Sequence, residues 1–355
     1  MPPIPSLPTP LPAWHPDSLA ARLPALRRRA ALTAATRAFF AARGVAEVET
    51  PALVPAPGME VHLQALRSRY EPHLAADRPR DLWLRTSPEL ALKRLLVAGA
   101  GPVFELARVW RNGEISARHM PEFTMLEWYR PGLGLDGLMD ETEEFCRAVL
   151  PTEVSHAGVA TDLRLPFERI TVAEAFARWC GGIDLLATVR PDGEGDGLAL
   201  SAAARRAGFD VAEEEDWETL FFRLLAERVE PQLGRDRASF LTHWPAPQAA
   251  LARRDPADRR AALRFELFLA GIELANAFDE LCDPAEQRAR FRRDVAERAR
   301  LYAEGWPADE DFLAALEHGM PAGSGIALGF DRLAMLAAGV PEVSLVQWLG
   351  AWPYR

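Results

Sequence analysis

One segment, residues 104–130, restricts the possible folds of this chain more than any other. It reads FELARVWRNGEISARHMPEFTMLEWYR and contains two strand-like runs joined by a loop with Arg111, Arg118 and His119. We expect one long β-hairpin with cationic side chains at its tip. The chain of 355 residues has a formal net charge of −10, so this tip contrasts with the rest of the sequence. Because the planar arginine fork donates two parallel hydrogen bonds, the tip is suited to phosphate oxygens.

The second run of this hairpin has one face rich in functional groups. Strand alternation places Phe123, Met125, Glu127 and Tyr129 on the same side. That face presents an aromatic ring, a carboxylate and a phenol beside the cationic loop, and the Phe123 ring could stack on a flat heterocycle. From the spacing alone, a solvated charged tip above a buried aromatic face is an equally good interpretation.

A second hairpin is predicted in RFELFLAGIELANAFDEL, residues 264–281. A turn at Leu269–Ala270 would make Glu266 and Glu273 cross-strand neighbours, where like charges destabilise a sheet. A bound Mg²⁺ would remove that repulsion, because it takes carboxylate oxygens together with substrate phosphates. The alternative is an exposed pair that water screens. Glu280 lies seven residues after Glu273, so both can serve one site only if a bulge or the strand end falls between them.

A third motif, GSGIALGFDRLAMLAAG at residues 323–339, predicts a strand that enters a short helix. Its glycines permit close backbone approach, and Arg332 falls in the first turn of the helix. A helix N-terminus together with an arginine is suited to an anion. For the motif taken alone, an ordinary strand–turn–helix with a surface arginine is the simpler interpretation. The motif has neither the GK[ST] of P-loops nor the GxGxxG of dinucleotide-binding folds.

Several other classes of chemistry find no support in the sequence. Neither GxSxG nor HExxH occurs. The three cysteines, Cys146, Cys180 and Cys282, have no CxxC spacing, which indicates a reducing compartment rather than disulfides or a zinc site. The sequence has no basic-then-apolar start and no apolar run of about 18 residues, so we expect a cytoplasmic protein without a membrane span. Its acidic balance gives no sign of a broad nucleic-acid surface.

The chain is expected to form one domain with an insertion. Residues 1–21 are predicted to be a proline-rich tail, and residues 22–355 a catalytic α+β domain that begins with a helix. Residues 151–235 are predicted to be a helical insertion, with helices at Val172–Cys180 and Trp217–Val229. Segments with candidate catalytic residues lie on both sides of this insertion, which favours a single core over two serial domains.

The three motifs combine into one kind of chemistry. They supply arginines for phosphates, a paired-carboxylate metal site and further carboxylates for a cationic group. This combination suits nucleotidyl transfer from ATP–Mg²⁺, with ATP as co-substrate. A substrate carboxylate attacks the α-phosphate, and cations stabilise the charge on the transferring group.

The same segments resemble the class II aminoacyl-tRNA synthetases of the lysyl branch. The hairpin is similar to motif 2 of that family, GIELANAFDEL and GSGIALGFDR to motif 3, and RGVAEVETP, with Pro51, to the dimer-forming motif 1. LRTSPELALKRLLVAGAGPVF, PEFTMLEWYRP and GIELANAFDEL resemble a truncated branch of the family, the elongation factor P–(R)-β-lysine ligases. The resemblance covers residues 26–338 and includes several motifs in the family's order.

This resemblance implies a fold and a set of residue roles. The fold is a class II synthetase-like antiparallel β-sheet flanked by helices, in a homodimer formed around motif 1. The implied nucleotide-binding residues are Arg111 at the α-phosphate, Asn112, His119 near the phosphates, Phe123 at adenine, Glu273, Leu274, Gly329, and Arg332 at the γ-phosphate. Arg111 and Arg332 are also the implied catalytic residues, and Glu266 and Glu273 would hold Mg²⁺. The implied amino-acid pocket contains Ser87, Pro88, Glu89 at the ammonium nearer the carboxylate, Tyr129 and Glu280 at the ε-ammonium, and Ala327 in the floor.

Two features favour the ligase branch over a tRNA synthetase. Only about 20 residues precede the first core helix, too few for the anticodon-reading OB-fold of bacterial lysyl-tRNA synthetases. In addition, Ala327 stands where tRNA synthetases of this branch have glycine and the ligases have alanine. Its methyl group would reshape the pocket floor in a way that fits β-lysine.

Three positions depart from the family pattern. The family's RNE reads RNG, so Glu114 follows Gly113, and the adenine contact of that glutamate is lost or shifted by one residue. Met120 replaces an asparagine, which removes a polar contact to ATP. Asp279 stands where the ligases have histidine.

The implied activity has two steps. ATP activates (R)-β-lysine, or lysine, as an aminoacyl-adenylate, and the aminoacyl group passes to a lysine side chain of elongation factor P. We expect elongation factor P as the acceptor, no membrane partner and no tRNA. Two alternatives stay open: aminoacylation of tRNA, and a non-catalytic protein that binds ATP or a lysine-like ligand.

Overall fold

The computed structural model describes residues 11–73, 78–302 and 305–350. Its α-helices are α1 (Pro16–Ala41), α2 (Glu89–Val97), α3 (Leu135–Val149), α4 (Val172–Trp179), α5 (Gly197–Arg206), α6 (Trp217–Leu224), α7 (Pro284–Leu301), α8 (Glu310–Gly319) and α9 (Phe330–Ala338). Its strands are β1 (Ala46–Glu47), β2 (Leu53–Val54), β3 (Arg67–Tyr70), β4 (Arg80–Leu84), β5 (Val103–Trp110), β6 (Glu122–Pro131), β7 (Glu153–His156), β8 (Val159–Asp162), β9 (Glu168–Thr171), β10 (Ser239–Pro245), β11 (Ala261–Leu269), β12 (Ile272–Asp279) and β13 (Gly323–Gly329).

An eight-stranded sheet forms the centre of the molecule, in the order β1-β5-β6-β13-β12-β11-β10-β9. Neighbouring strands are antiparallel except at the two edges, where β1 pairs with β5 and β9 with β10 in parallel. Smaller sheets are formed by β2-β4-β3 and by β7-β8. The predicted α+β fold, a mainly antiparallel sheet flanked by helices, is therefore confirmed.

The hairpin predicted at residues 104–130 is the pair β5–β6, in register from Val103–Tyr129 to Trp110–Glu122. The two faces of β6 have different surroundings. Leu126 and Trp128 belong to the main hydrophobic core, where the Trp128 ring lies 5.2 Å from that of Phe40 in α1. The opposite face contains the residues that the alternation grouped together. This strand therefore separates the core from the candidate site.

Helices α1, α3 and α9 cover the core face of the sheet. α1 packs against both α9 and α3, and α9 against β6. Their buried side chains, including Phe39, Phe145 and Leu333, join those of the central strands in one cluster. In the ranges that the structure describes, no helix has the length and apolar character needed to cross a membrane.

The first helix begins earlier than the sequence predicted. α1 starts at Pro16, so the last six residues of the predicted tail 1–21 are helical. The cause is local: His15 is the N-cap and accepts the amide of Asp17, and Pro16 occupies the first turn, where its missing N–H costs no hydrogen bond. Residues 1–10 of the predicted tail lie outside the described residues.

The insertion at 151–235 is not wholly helical, which corrects the prediction. It opens with the hairpin β7–β8, whose turn residues Ala157 and Gly158 have positive φ, and then with β9, which extends the main sheet beside β10. The two predicted helices are present as α4 and as α6 continued by a π-helical turn. Phe176, Trp217 and Phe221 stack in a separate small core.

Candidate active site

A cavity of about 500 Å³ opens on the face of the main sheet opposite to α1 and α9. The predicted site residues that line it are Ser87, Glu89, Arg111, His119, Phe123, Tyr129, Glu266, Glu273, Leu274, Ala327, Gly329 and Arg332. Pro88, Asn112 and Glu280 do not reach its surface: Pro88 caps α2, and the amide of Asn112 donates to the carbonyl of Gln64 (2.7 Å). The fold thus brings all three sequence motifs to one cavity.

One end of the cavity is cationic. Arg332 donates to the carbonyl oxygen of Glu273 (2.8 Å) and to Nε2 of His119 (2.6 Å). Because Nε2 accepts, the proton of the ring is on Nδ1, which donates to Oγ of Ser116 (2.7 Å). Burial, and then the neighbouring arginines, lower the pKa of His119 to about 4. The ring is therefore neutral at pH 7 and orients Arg332 without adding charge.

Arg111 lies at the same end and has an unused donor. Its guanidinium is 5.3 Å from the ring centroid of Phe123 and 3.9 Å from the carboxylate of Glu114. Its Nε is buried and finds no acceptor in the part of the chain that the structure describes. A buried donor without an acceptor is destabilising, so an anionic ligand that accepts from this atom would stabilise the site.

The carboxylates of Glu266 and Glu273 both line the cavity, but the predicted cross-strand pairing is wrong. The turn between β11 and β12 is Ala270–Gly271, where both residues have positive φ (51° and 71°). Glu266 faces Asn276, and Glu273 faces Phe268. The predicted turn, centred one residue earlier, gave an incorrect register.

A β-bulge in β12 nevertheless directs Glu273 towards the cavity. The register shifts between Leu267 and Phe268, which leaves Leu274 as the extra residue. If Leu274 took a regular position in the strand instead of the bulge, strict alternation from Asn276 would point Glu273 to the other face of the sheet. The two carboxylates are close enough to interact: burial, and then the charge of Glu273, raise the pKa of Glu266. A bound cation would reduce this repulsion between Glu266 and Glu273.

The opposite end of the cavity is acidic and centres on Glu127. The hydroxyls of Ser87 and Tyr129 are hydrogen-bonded to its two oxygens, at 2.5 Å and 3.1 Å. The side chain is fully buried. Burial, and then the charge of Glu89, raise the pKa of Glu127 to about 8. In the free protein this carboxyl group is therefore mostly protonated at pH 7.

Lys93 joins the remaining two carboxylates of this end. Its Nζ lies 2.5 Å from Oε1 of Glu89 and 2.5 Å from Oε2 of Glu280. Burial opposes the charge, but the two carboxylates outweigh it and raise the pKa of Lys93. The other oxygen of Glu280, Oε1, is buried and has no hydrogen-bond donor among the described residues. The Lys93 ammonium thus lies beside Glu280, the predicted site of the substrate ε-ammonium.

Strand β13 forms the floor. Ala327 is in register between Glu127 on one side and Asn276 on the other, and it lines the cavity. At Gly325 an added side chain would overlap the ring of Tyr129 and the carboxylate of Glu280. The close packing of the acidic end therefore requires glycine at this position.

Several residues of the site were not singled out from the sequence. Glu60, Arg264 and Asn276 line the cavity. Arg264 donates to Glu266 (2.6 Å) and to Oδ1 of Asn276 (3.0 Å), and its guanidinium lies 4.0 Å from the ring centroid of Trp244. These contacts depend on the true register of β11 and β12, which the sequence does not reveal.

The three departures from the family pattern have different outcomes. Glu114 lines the cavity beside Arg111, after Gly113 with φ of 82°, so a carboxylate is present one residue later than in the family pattern. Met120 lines the cavity but belongs to the core. Asp279 is paired with Arg253 (2.5 and 2.9 Å) and does not line the cavity.

Comparisons with known proteins agree on one family. The sequence profile of the class II tRNA synthetases (D, K and N) matches residues 21–352. The chain is 42% identical to a protein of Pectobacterium atrosepticum, over 94% of this chain and 95% of that protein. It is 43% identical to one of Erwinia tasmaniensis over 94% and 95%, and 40% identical to one of Haemophilus influenzae (strain PittGG) over 93% and 95%. All three relatives carry the name elongation factor P–(R)-β-lysine ligase.

Proposed function

The chain belongs to the class II tRNA synthetases of the D, K and N type and groups with the elongation factor P–(R)-β-lysine ligases, and on this basis we propose its reaction. ATP activates (R)-β-lysine as an acyl-adenylate, and the acyl group then passes to a lysine side chain of elongation factor P. One observation carries the proposal: a single cavity has a cationic end for phosphates and an acidic end for a diamine.

The cationic end would hold ATP during activation. Phe123 would stack on adenine, and Arg111, whose buried Nε has no acceptor in the described residues, would donate to the α-phosphate. Arg332, oriented by neutral His119, would meet the γ-phosphate. The substrate carboxylate attacks phosphorus, the bond to the bridging oxygen of pyrophosphate breaks, and both guanidinium groups stabilise the spread negative charge.

The carboxylates of Glu266 and Glu273 suit a Mg²⁺ ion bound together with ATP. No group of three or more His, Cys, Asp or Glu side chains in the described ranges is arranged to hold a metal by itself. Mg²⁺ commonly binds one or two carboxylates plus substrate phosphates, so two carboxylates that repel each other fit this requirement. When bound, the ion would neutralise part of the phosphate charge. Arg264 would hold Glu266 in place.

The acidic end would hold the amino acid. Tyr129, which lines the cavity, would contact the distal ammonium, and the buried Glu280 beside it, with its unpaired Oε1, would attract that charge. Ser87 and Ala327 would shape the pocket around the chain between the amines. Positioning replaces covalent catalysis in this scheme, because no residue needs to form an intermediate with the substrate.

Transfer needs a neutral acceptor amine. The lysine nitrogen of elongation factor P attacks the acyl carbon, the bond to AMP breaks, an amide forms, and the amine proton leaves with AMP or solvent. We propose a cytoplasmic homodimer for the active species. The exposed edge strand β1, which follows α1, is the candidate contact, and light scattering after size exclusion would measure the mass.

A competition between acceptors tests the function. Labelled (R)-β-lysine or labelled lysine is supplied with ATP–Mg²⁺, elongation factor P and bulk tRNA in one mixture. We expect label on elongation factor P, strongest from the β-isomer. Label on tRNA would assign the activity to tRNA aminoacylation. Absence of both transfer and pyrophosphate exchange would leave a protein that only binds these ligands.

A further inference from the structure

The loop 58–64 enters the candidate active site and is held there from a distant part of the chain. Arg298, from α7, donates to the carbonyl oxygens of Val61 and Leu63, both at 2.8 Å, and packs 3.7 Å from the ring centroid of Trp306. The indole nitrogen of Trp306 donates to the carbonyl of Gly58 (2.5 Å). Arg298 and Trp306 are both buried. Two buried side chains from a distant part of the chain therefore anchor this loop.

That loop presents the carboxylate of Glu60 to the cavity. Gly58 leaves the space for it: a side chain at residue 58 would overlap the Glu60 carboxylate and the hydroxyl of Thr86. Thr86 directly precedes Ser87, so Glu60 lies at the segment that borders the predicted amino-acid pocket. The Glu60 side chain is exposed to the cavity and forms no ion pair with any residue of the described ranges.

The other carboxylates at this end already have partners. Lys93 lies 2.5 Å from both Glu89 and Glu280, so these two carboxyl groups already share one cation. Glu127 is mostly protonated in the free protein. Glu60 forms no such pair among the described residues, so it is the carboxyl group left for the second ammonium of the substrate. Enclosure in the cavity, and then the charge of Glu89, raise the pKa of Glu60, and a bound ammonium would favour its ionised form.

Glu60 also lies on the side where the reacting carboxylate must be. The loop that carries Glu60 is joined to the segment of Arg111, the residue assigned to the α-phosphate, because the amide of Asn112 donates to the carbonyl of Gln64 (2.7 Å). The charges of Glu89, Arg111 and Lys93 all act on Glu60, whereas Glu280 interacts with Lys93, Glu89 and Asp279. An ammonium held by Glu60 would therefore be the one nearer the activated carboxyl, and the distal one would be left to Glu280.

We propose that Glu60 is a specificity-determining residue that binds the substrate ammonium nearer the carboxyl group. The inference rests on the proposed function and adds to it a partner for that ammonium which sequence motifs do not indicate. In this arrangement the Lys93 ammonium occupies the position between Glu89 and Glu280, so these two residues alone do not bind both ammonium groups of the substrate.

Substrate analogues test the assignment directly. 6-Aminohexanoate lacks the ammonium nearer the carboxyl and retains the distal one, whereas 3-aminohexanoate has the reverse pattern. Calorimetric Kd values of (R)-β-lysine and both analogues are compared for the full chain and Glu60→Gln. We expect Glu60→Gln to weaken (R)-β-lysine and 3-aminohexanoate roughly ten- to hundredfold, the usual range for one charged hydrogen bond. Its affinity for 6-aminohexanoate stays unchanged.

Two further variants keep the test decisive. Glu60→Asp retains the charge at a shorter reach and should lie between wild type and Glu60→Gln. Glu71→Gln, which removes an exposed carboxylate paired with Arg69, is the matched control and should match wild type. Equal losses for (R)-β-lysine and 6-aminohexanoate, or no loss at all, would overturn the inference while leaving the proposed function intact. If the wild-type chain bound no diamine and exchanged no pyrophosphate, both the proposed function and the role of Glu60 would be wrong.

Discussion

The ammonium of Lys93 lies 2.5 Å from the carboxylate of Glu280, and each side chain is only 2% exposed. Lys93 is the only lysine in the sequence; every other basic residue among its 41 Lys and Arg is arginine. A compact ammonium can contact Glu89 and Glu280 at 2.5 Å from one point, whereas the larger planar guanidinium needs more room. This buried pair therefore sets the shape and the charge of the acidic end.

Removal of the Lys93 charge should destabilise the fold. Lys93→Met leaves Glu89 and Glu280 without their shared partner, and breaking a buried ion pair in this way costs about 3–5 kcal/mol. Lys93→Arg keeps the charge but overpacks the site, for which we expect about 1–3 kcal/mol. Urea unfolding measures both. Arg288→Met, which breaks surface pairs with Glu310 and Glu317, is the control and should change the free energy of unfolding by no more than about 1 kcal/mol.

A double variant separates the pair from its surroundings. In Lys93→Met with Glu280→Gln, the orphaned charge on Glu280 is gone, so the loss of stability should be smaller than the sum of the two single losses. Strict additivity would show that Lys93 and Glu280 do not interact in solution.

Glu127 should release its proton when the substrate binds. Its pKa of about 8 keeps it mostly protonated at pH 7, and a nearby ammonium favours the ionised form. We expect about one proton released per (R)-β-lysine bound at pH 7. Calorimetry in phosphate and in Tris, whose ionisation enthalpies differ, counts these protons. Glu127→Gln should release none, and an equal count for this variant would contradict the assignment.

The same group predicts how stability depends on pH. The pKa of Glu127 is higher in the folded protein than in the unfolded chain, where it is near 4.5. The unfolded chain therefore loses the proton first, and this group lowers the free energy of unfolding as pH rises from about 4.5 to 8. In Glu127→Gln, urea unfolding should show a flatter profile over that window.

Gly325→Ala should disturb the amino-acid end selectively. An added methyl group would overlap the Tyr129 ring and Glu280, both of which are packed tightly. We expect diamine affinity to fall at least about tenfold, within the usual range for overpacking, while ATP affinity is unchanged. Gly134→Ala, where an added Cβ meets nothing within 4 Å, serves as the control. Equal loss of ATP affinity would indicate a general distortion of the sheet.

Much of this architecture follows from local sequence patterns. The period-two alternation in β6 placed Phe123 and Tyr129 on one face, and both line the cavity. The helix entered from β13 puts Arg332 at its first turn, as the glycine-rich motif predicted. These features depend only on neighbouring residues, so a single sequence is sufficient to find them.

The features that the sequence could not supply depend on distant contacts or on one extra residue. Leu274 in the bulge changes the register between β11 and β12, and no turn signal indicates it. Glu60 lies in a loop without periodicity that Arg298 fixes from more than 230 residues away. The sequence does not indicate a role for Lys93 in α2, because its pairing with Glu280 depends on tertiary packing.

Arg111→Lys should slow activation without affecting the amino acid. Lysine keeps the positive charge, but it lacks the planar fork and the buried Nε–H that is available to donate to a phosphate oxygen. Loss of one oriented donor to the developing charge typically lowers the rate about 100- to 1,000-fold, so pyrophosphate exchange should fall by that amount. The Kd of (R)-β-lysine, measured by calorimetry, should be unchanged, because the acidic end is intact. Arg108→Lys, an exposed arginine of the same strand pair, should exchange pyrophosphate at the wild-type rate. A normal rate for Arg111→Lys would mean that charge alone is sufficient at this position and that the fork has no part in stabilising the α-phosphate.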